Sequence, residues 1–476
     1  MNILDILGII AIFAIVLVIG WRATKKSQTT EEYLMADRSL SKIQAGFSMA
    51  ATDMGGGAII GATAYAYAVG ISGGWYNWGA VLPLIILAYL IAKQLRSMPI
   101  SSVPELLGKR YSSAARLIAV IAHLLAIGSS LAIQFTVAAT AVTAITGMNY
   151  NLALFLSVAV VVAYTVGGGL LAVVNTDVFQ FVIICASVLA AIPCAMGKIG
   201  GMAALKAAVP ASFFDIGAEG FLVPLSLGVL YMFDYGTTQS ILQRVFAAKD
   251  GSTARFSFNF TGIMYIFFGL AVAFLGIEAH ALMPNLENTN LAYSLLIKDV
   301  LPHGVAGLAL GGIFAATMST ADSKIMAASQ LFVNDIYEPY ICKDKADDRK
   351  VLKMSRLITL LVSVLGIGVC LISDSIVQMM YVSGLFYGTA VFIPMIMAIY
   401  WKRGTNQGAL AAIIAAMVVG LYSEYFLYGQ ASGFLGAIPS NLLSTLVSII
   451  VFVAVSLLTP PPAPEKLAAI AERKGK

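Results

Sequence analysis

Charged side chains are scarce in this chain. Of its 476 residues, only 11% are Asp, Glu, Lys or Arg, whereas 59% are hydrophobic. Soluble domains carry about 25% charged residues. So few charges cannot cover a soluble globule of this length with polar surface. The composition therefore excludes a soluble protein and indicates an integral membrane protein.

Cysteine and histidine are also rare. The four cysteines lie far apart without a Cys-x-x-Cys pair, so neither a disulfide framework nor a zinc site is indicated. The three histidines form no cluster, and no His/Ser/Asp or Cys/His set converges on one membrane level. We therefore expect that the protein is not an enzyme. The first apolar run lacks a small-residue cleavage site after it, so a cleaved signal peptide is not expected.

Long apolar runs are abundant, and runs of about 17 to 25 residues predict membrane-spanning helices. We predict an all-α membrane protein with about 13 such helices. The predicted spans are residues 3–21, 43–70, 74–93, 117–146, 150–166, 172–196, 219–246, 256–278, 304–333, 354–373, 376–400, 407–428 and 439–459.

The basic residues predict the orientation. Almost all of the 29 Lys and Arg residues fall in one alternating set of loops and in the C-terminal tail. Cytoplasmic loops are enriched in Lys and Arg, which places the N-terminus outside and the C-terminus in the cytoplasm. The net charge of +5 has the same explanation, and no nucleic-acid partner is expected. Lys324 is an exception, because it lies inside a predicted span.

Two predicted spans contain a polar, glycine-bearing interruption. Asp53 precedes three glycines in the second span, and the seventh contains the polar stretch 231–239, which includes Asp234. Each Gly costs about 1 kcal/mol of helix propensity relative to Ala. Broken helices at corresponding places in two halves are typical of transporters built from inverted repeats, which bind ions and solutes at the breaks. Alternatively, Gly and Thr only permit close helix packing.

The ninth span has a hydroxyl-bearing face. Ala316, Ser319, Thr320 and Ser323 lie within a stripe about 100° wide. Oxygen ligands suit hard cations such as Na⁺, although such hydroxyls also bind the carbonyl four residues earlier. Asp177 is another acid inside a predicted span and is a functional candidate for that reason.

Several motifs resemble the sodium:solute symporter family, which includes bacterial sodium/proline, sodium/galactose and sodium/sialic acid symporters. The likeness covers nearly the whole chain. The matching segments besides the second-span break are residues 31–38, 103–111, 167–177, 243–250, 318–323 and 401–403.

The resemblance implies a LeuT-like fold and alternating access with Na⁺ as the coupling ion. It also implies the plasma (inner) membrane of a prokaryote and a protein that functions as a monomer, with a small-molecule solute, Na⁺ and the lipid bilayer as partners. The expected domains are a leading helix and cytoplasmic loop (1–42), a ten-helix core (43–400) with repeats at about 43–196 and 219–400, two further helices (401–459) and a cytoplasmic tail (460–476).

The resemblance also implies ion-binding residues. The main sodium site falls on the carbonyls of Ala51, Met54 and Ala316 and the hydroxyls of Ser319 and Thr320. A second sodium site, present in some members, would involve Asp177, Ser319, Asp322 and Ser323.

At the second site the sequence departs from sialic acid symporters, which have a hydroxyl at the position of Asp322. Two hypotheses remain open. Either Asp322 strengthens a second sodium site, or Lys324 pairs with Asp177 or Asp322 and replaces that ion.

The expected solute cavity lies beside the second-span break. Its candidate residues are Asp53, Gly57, Trp75, Asn77, Trp78, Gln134, Tyr231, Asp234, Tyr235, Gln239, Tyr381, Ser383 and Tyr387. Aromatic rings with an additional acid favour an amine, an amino acid or another organic cation or zwitterion. A sugar, polyol or monocarboxylate is the alternative, and the aromatic residues can instead be packing or interfacial residues.

Two other function classes are less favoured. A transporter-like membrane sensor would need an output domain, and the tail after Thr459 is too short for one. An ion channel would need a filter, and no Gly-Tyr-Gly run is present.

Overall fold

The computed structural model describes residues 2–25, 27–342, 347–372, 376–428, 436 and 438–468, without the side chains of residues 140, 141, 144, 145, 369–372 and 376–386. Its regular elements in these ranges are helices. The first ten are α1 (Ile3–Thr24), α2 (Thr30–Met35), α3 (Lys42–Asp53), α4 (Ala62–Val69), α5 (Trp75–Trp78), α6 (Val81–Leu90), α7 (Ala92–Ser97), α8 (Val103–Arg110), α9 (Ser113–Thr146) and α10 (Tyr150–Ile199). The others are α11 (Met202–Ala208), α12 (Leu222–Thr237), α13 (Gln239–Ala247), α14 (Gly251–Leu282), α15 (Ala292–Val300), α16 (Val305–Phe332), α17 (Asp348–Ile372), α18 (Ile376–Tyr400), α19 (Asn406–Tyr422), α20 (Ser440–Leu458) and α21 (Pro464–Ala468).

The helices confirm an all-α, multi-pass membrane protein. In the described part of the chain, nine helical segments are long and apolar enough to cross a membrane. The number of thirteen spans stays a prediction. The predicted fifth and sixth spans both lie within α10, whose 50 residues comprise two helical parts that meet at Gly169.

A sharp change of direction inside α10 explains why the sequence resembles two spans there. Gly169 adopts φ 58° and ψ −154°, which a side chain would not tolerate. A Cβ atom at this position would lie 2.4 Å from the backbone oxygen of Tyr33 in α2. The glycine therefore permits both the kink and the close approach of α2.

The first predicted interruption is confirmed. Helix α3 begins with a capping box in which the side chains of Ser41 and Gln44 bind each other's backbone N–H groups. It ends at Asp53, and Met54 leaves the helical conformation with ψ 43°. A wide π-helical turn, Gly57–Gly61, follows before α4 begins. Consecutive glycines make this unwinding inexpensive because they favour the helix so little.

The second predicted interruption is confirmed at Thr238, which has extended backbone between α12 and α13 (φ −65°, ψ 120°). Its hydroxyl donates to Oδ1 of Asp234 at 2.6 Å, and its N–H donates to the Asp234 backbone oxygen at 2.7 Å. The aspartate therefore holds the end of α12 where the helix breaks.

Helix α16 is the centre of the bundle. In an 18-residue stretch of the segment that contains it, 89% of the residues are buried, against 22% in such a stretch of α1. It packs against α1, α3, α9, α10 and α13. Because α3 and α13 adjoin the two breaks, α16 presents its side chains to both interrupted regions.

Candidate functional site

A cluster of oxygen atoms joins the end of α3 to α16. The Ser319 hydroxyl lies 2.8 Å from the Ala51 carbonyl oxygen and 2.9 Å from that of Ala316. The Thr320 hydroxyl lies 2.8 Å from the Thr52 carbonyl oxygen and 3.2 Å from that of Ala316. These hydroxyls donate to carbonyls of two different helices. If they rotate, their lone pairs and the same carbonyls can face a hard cation.

Gly55 makes this close approach possible. A Cβ atom on Gly55 would lie 2.0 Å from Oγ1 of Thr320 and 3.2 Å from the Ala316 carbonyl oxygen. Met54 is buried beside it, at the first non-helical position after α3. Four of the five predicted main-site residues thus share direct contacts, and the fifth lies at the adjoining break.

Asp177 has a partner that the sequence did not predict. Its Oδ2 atom accepts from Nη2 of Arg244 at 3.0 Å and from the Ser48 hydroxyl at 2.6 Å, and both charged side chains are fully buried. Arg244 lies within a predicted span, and buried charges are almost always paired. That location was a signal in the sequence, but the choice of partner required the packing of α13 against α10 and α3.

The other predicted second-site residues join the same network. Asp322 accepts from the Tyr164 hydroxyl and, at 3.3 Å, from the Ser323 hydroxyl. Ser323 also contacts Nη2 of Arg244. Lys324 forms no ion pair with the described residues, and the hypothesis that it replaces a second ion stays a prediction. The residue beside Asp177 is Arg244, from a different helix.

Asp53 and Gln134 lie at the first break. The hydroxyls of Tyr235 and Tyr265 face the Asp53 carboxylate, although its buried Oδ2 atom accepts no hydrogen bond at ordinary distance. Oε1 of Gln134 is buried without a hydrogen-bond partner among the described residues, 3.5 Å from where a Cβ atom on Gly56 would lie. Tyr265 on α14 was not predicted because the apolar stretch around it gives no local signal.

Helix α5 also contributes at this break. A Cβ atom on Gly57 would lie 3.6 Å from the Tyr76 hydroxyl, so Tyr76 borders the unwound segment although it was not predicted. Asn77 is buried and donates to the Ala58 carbonyl at 3.1 Å. Asn77 therefore stabilises the π-helical turn.

The end of α12 presents stacked aromatic rings and a carboxylate. The rings of Tyr231 and Tyr235 stack with centroids 5.4 Å apart and planes 5° apart. The Tyr231 hydroxyl donates to the Tyr76 carbonyl oxygen at 2.6 Å. Asp234 is exposed and adjoins Tyr235, whose hydroxyl faces the Asp53 carboxylate at the first break.

The predicted tryptophans make a different set of contacts. The Trp75 indole donates to a carbonyl of the loop between α11 and α12, and the Trp78 indole donates to the Ile266 carbonyl in α14 at 3.1 Å. Both rings thus bind neighbouring backbone, as packing residues do. The side chains of Tyr381 and Ser383 lie outside the described residues.

Gln239 and Tyr387 belong to a buried layer between α9, α13, α16 and α18. The Gln239 amide donates to the Ser101 carbonyl at 2.8 Å and to the Gln330 side chain at 2.9 Å. Its backbone N–H donates to Nε2 of His123, whose ring stacks on Tyr387 at 3.7 Å. This layer lies next to the second break. Gln239 and Tyr387 therefore contact neighbouring helices within the bundle.

Comparison with known proteins agrees with this geometry. Residues 33–416 match the model of the Sodium:solute symporter family. An osmoregulated proline transporter of Bacillus subtilis (strain 168) is 25% identical, with 95% of this chain and 94% of that protein covered. Sodium/glucose cotransporter 4 of Danio rerio is 27% identical, with 97% and 80% covered.

A solved structure shares the fold over nearly the whole chain. A Na⁺-coupled sialic acid symporter in a substrate-bound outward-open state superposes with a TM-score of 0.86 and 20% identity, covering 97% of this chain and 99% of that one. The family and the neighbours are transporters rather than enzymes, and they support Na⁺ as the coupling ion. The chain belongs to the sodium:solute symporter family and is a sodium-coupled symporter with a LeuT-like fold.

Proposed function

We propose that this symporter takes up a small solute that bears an amine, together with one Na⁺ bound by Ala51, Met54, Ala316, Ser319 and Thr320. The observation that supports the solute class is the exposed Asp234 carboxylate beside the stacked Tyr231 and Tyr235 rings. The proposal has three parts: the ion site, the number of ions and the solute.

The ion site has the chemistry that Na⁺ requires. All five oxygen donors are neutral, and they come from both α3 and α16. The hydroxyls of Ser319 and Thr320 already bridge the two helices by hydrogen bonds to backbone oxygens. A bound Na⁺ would replace these bridges with stronger ones and so hold α3 against α16. Inward movement of one Na⁺ contributes about 2.3 kcal/mol per 100 mV of membrane potential, besides its concentration gradient.

The pairing of Asp177 with Arg244 argues against a second ion. A guanidinium nitrogen lies 3.0 Å from the carboxylate in a fully buried place. A Na⁺ there would meet this fixed positive charge at short range, where little water screens the repulsion. We therefore infer that Arg244 supplies the positive charge that a second Na⁺ supplies in some relatives.

The charges near the breaks favour an amine over a neutral solute. Asp53 and Asp234 form no ion pair with the described residues, and an organic ammonium can pair with either. The faces of Tyr231 and Tyr235 add cation–π attraction for such a group. A sugar or polyol would offer neither carboxylate a charged partner in direct contact when the site closes.

A thermal-shift screen of the purified protein tests the solute class. Amines, amino acids, sugars, polyols and monocarboxylates are tested with Na⁺ and with choline replacing Na⁺. We expect stabilisation by amine-bearing solutes, and only with Na⁺ present. If sugars, polyols or monocarboxylates alone stabilise the protein, the amine proposal is refuted while the sodium-coupled function stands.

The orientation and assembly complete the proposal. We place the N-terminus outside and the C-terminus in the cytoplasm of a prokaryotic inner membrane, supported by the bias of Lys and Arg toward alternate loops. The core is residues 43–400, with its two repeats at about 43–196 and 219–400. Both breaks and the central α16 lie within one chain, which supports function as a monomer.

A further inference from the structure

Lys324 is a basic residue in the most buried part of the bundle. It lies within α16. The residues on either side of Lys324, Ser323 and Ile325, are fully buried, while the Lys324 side chain is partly accessible. An ammonium inside a membrane segment is costly and usually has a functional reason. Asp177 already pairs with Arg244, and Asp322 accepts hydrogen bonds from the hydroxyls of Tyr164 and Ser323.

The position of Lys324 on α16 directs it toward the solute region. It follows the sodium-site residue Thr320 by four residues, which is one turn on the same face and about 6 Å along the helix axis. Helical side chains tilt toward the N-terminus of their helix. The long Lys324 side chain therefore leans back toward the level of Thr320 and the first break.

The groups that Lys324 faces come from three other helices. One turn earlier on this face, the Thr320 hydroxyl donates to the Thr52 carbonyl oxygen, next to Asp53, at 2.8 Å. Lys324 also lies within electrostatic range of Asp53 on α3, Asp234 on α12 and His123 on α9. Among the described residues none of these contacts is close enough to be an ion pair. The carboxylates of Asp53 and Asp234 and the ammonium of Lys324 thus lie in the region between the two breaks without forming an ion pair with one another.

This arrangement has the charge pattern of a zwitterion's binding site. With one Na⁺ at the adjacent site, the charges of Asp53, Asp234, Lys324 and the ion sum to zero. A solute with a net positive or negative charge would leave that sum unbalanced in a region of low dielectric constant, where an unbalanced charge is expensive. A zwitterion keeps the balance and gives both the carboxylates and the ammonium a partner of opposite sign.

On the basis of the amine-binding role proposed for Asp234, we propose that Lys324 binds the carboxylate of the solute. The solute is then an amino acid or a related zwitterion, held with its amine toward Asp234 and its carboxylate toward Lys324. Lys324 is accordingly a specificity-determining residue that distinguishes such acids from their amides and from simple amines.

Matched ligand sets test this assignment on the full-length protein in Na⁺. Each set is an amino acid, its amide and the corresponding amine: L-proline, L-prolinamide and pyrrolidine; L-phenylalanine, L-phenylalaninamide and phenethylamine; L-lysine, L-lysinamide and cadaverine. Binding is measured by thermal shift and confirmed by competition for uptake in proteoliposomes. We expect at least one acid to bind the unmodified protein at least tenfold more tightly than its amide and amine, the size of a charge-assisted hydrogen bond.

The variants separate recognition from folding. Lys324→Met should reduce the acid-to-amide ratio about tenfold or more, and Lys324→Arg should keep the preference for the acid. Lys298→Met, which removes an exposed lysine of α15, is the matched control and should leave the ratio unchanged. The stabilisation by Na⁺ alone, measured without solute, reports whether Lys324→Met is folded.

Three results overturn the assignment. One is an unchanged acid-to-amide ratio in folded Lys324→Met. Another is tighter binding of amides or amines than of acids by the unmodified protein, which would leave the amine-binding proposal intact. The third is binding of no member of the three sets, which would count against both proposals.

Discussion

The most direct test of the sodium site is the substitution Gly55→Ala. The added Cβ atom would lie 2.0 Å from Oγ1 of Thr320, whereas ordinary contacts of this kind begin at 3.4 Å. Either the Thr320 hydroxyl rotates out of the site, or the two groups separate by about 1.4 Å, which moves α3 away from α16. Because the ion-binding oxygens come from these two helices, we expect the site to open.

The cost follows from the size of the clash. Overpacking of this kind typically costs about 1–3 kcal/mol. If that free energy appears as lost ion affinity, the Kd for Na⁺ rises about 5- to 150-fold. The assay is titration of the purified protein with NaCl at constant ionic strength, followed by thermal shift and intrinsic tryptophan fluorescence.

Two further variants show that the clash with Thr320 is the cause. Gly61→Ala adds the same methyl group in the neighbouring turn, where the closest atom is 3.5 Å away, and should bind Na⁺ normally. Gly55→Ala combined with Thr320→Ala removes the clashing hydroxyl, so it should recover thermal stability without recovering Na⁺ affinity. The reasoning is refuted if Gly55→Ala alone binds Na⁺ within twofold of the unmodified protein and unfolds at the same temperature.

The remaining predictions concern the solute and the buried ion pair. Asp234→Asn should weaken binding of an amine-bearing solute about 10- to 150-fold by removal of a charged partner and leave the Na⁺ response intact; unchanged uptake would remove Asp234 from the solute site. Arg244→Met should destabilise the protein by about 3–5 kcal/mol, because Asp177 stays buried without its partner, and adding Asp177→Asn should recover most of that stability; thermal unfolding of the single and double variants decides it. Paired fluxes of ²²Na⁺ and labelled solute into proteoliposomes should give one Na⁺ per solute, and a ratio of two would contradict the role assigned to Arg244.

The sequence determined the class of the protein and the places where its helices break. Hydrophobic runs long enough to cross a bilayer must form helices or closed barrels, because backbone polar groups have no partner in lipid. Glycines after Asp53 predicted the end of α3, and the polar stretch around Asp234 predicted the second break. Low helix propensity and polar interruption of an apolar helix both depend on a few neighbouring residues, so the sequence shows them. Helical periodicity likewise placed Ser319 and Thr320 on one face before any packing was known.

The partners of the buried charges were decided only by the tertiary structure. Asp177 lies 67 residues from Arg244, and no local pattern specifies which helix will face it. Lys324 adjoins Ser323 and Asp322 in sequence, yet it faces Asp53 and Asp234, since successive residues of a helix point about 100° apart. Periodicity therefore shows which side chains share a face of a helix, whereas the packing of three other helices determines which charges that face meets.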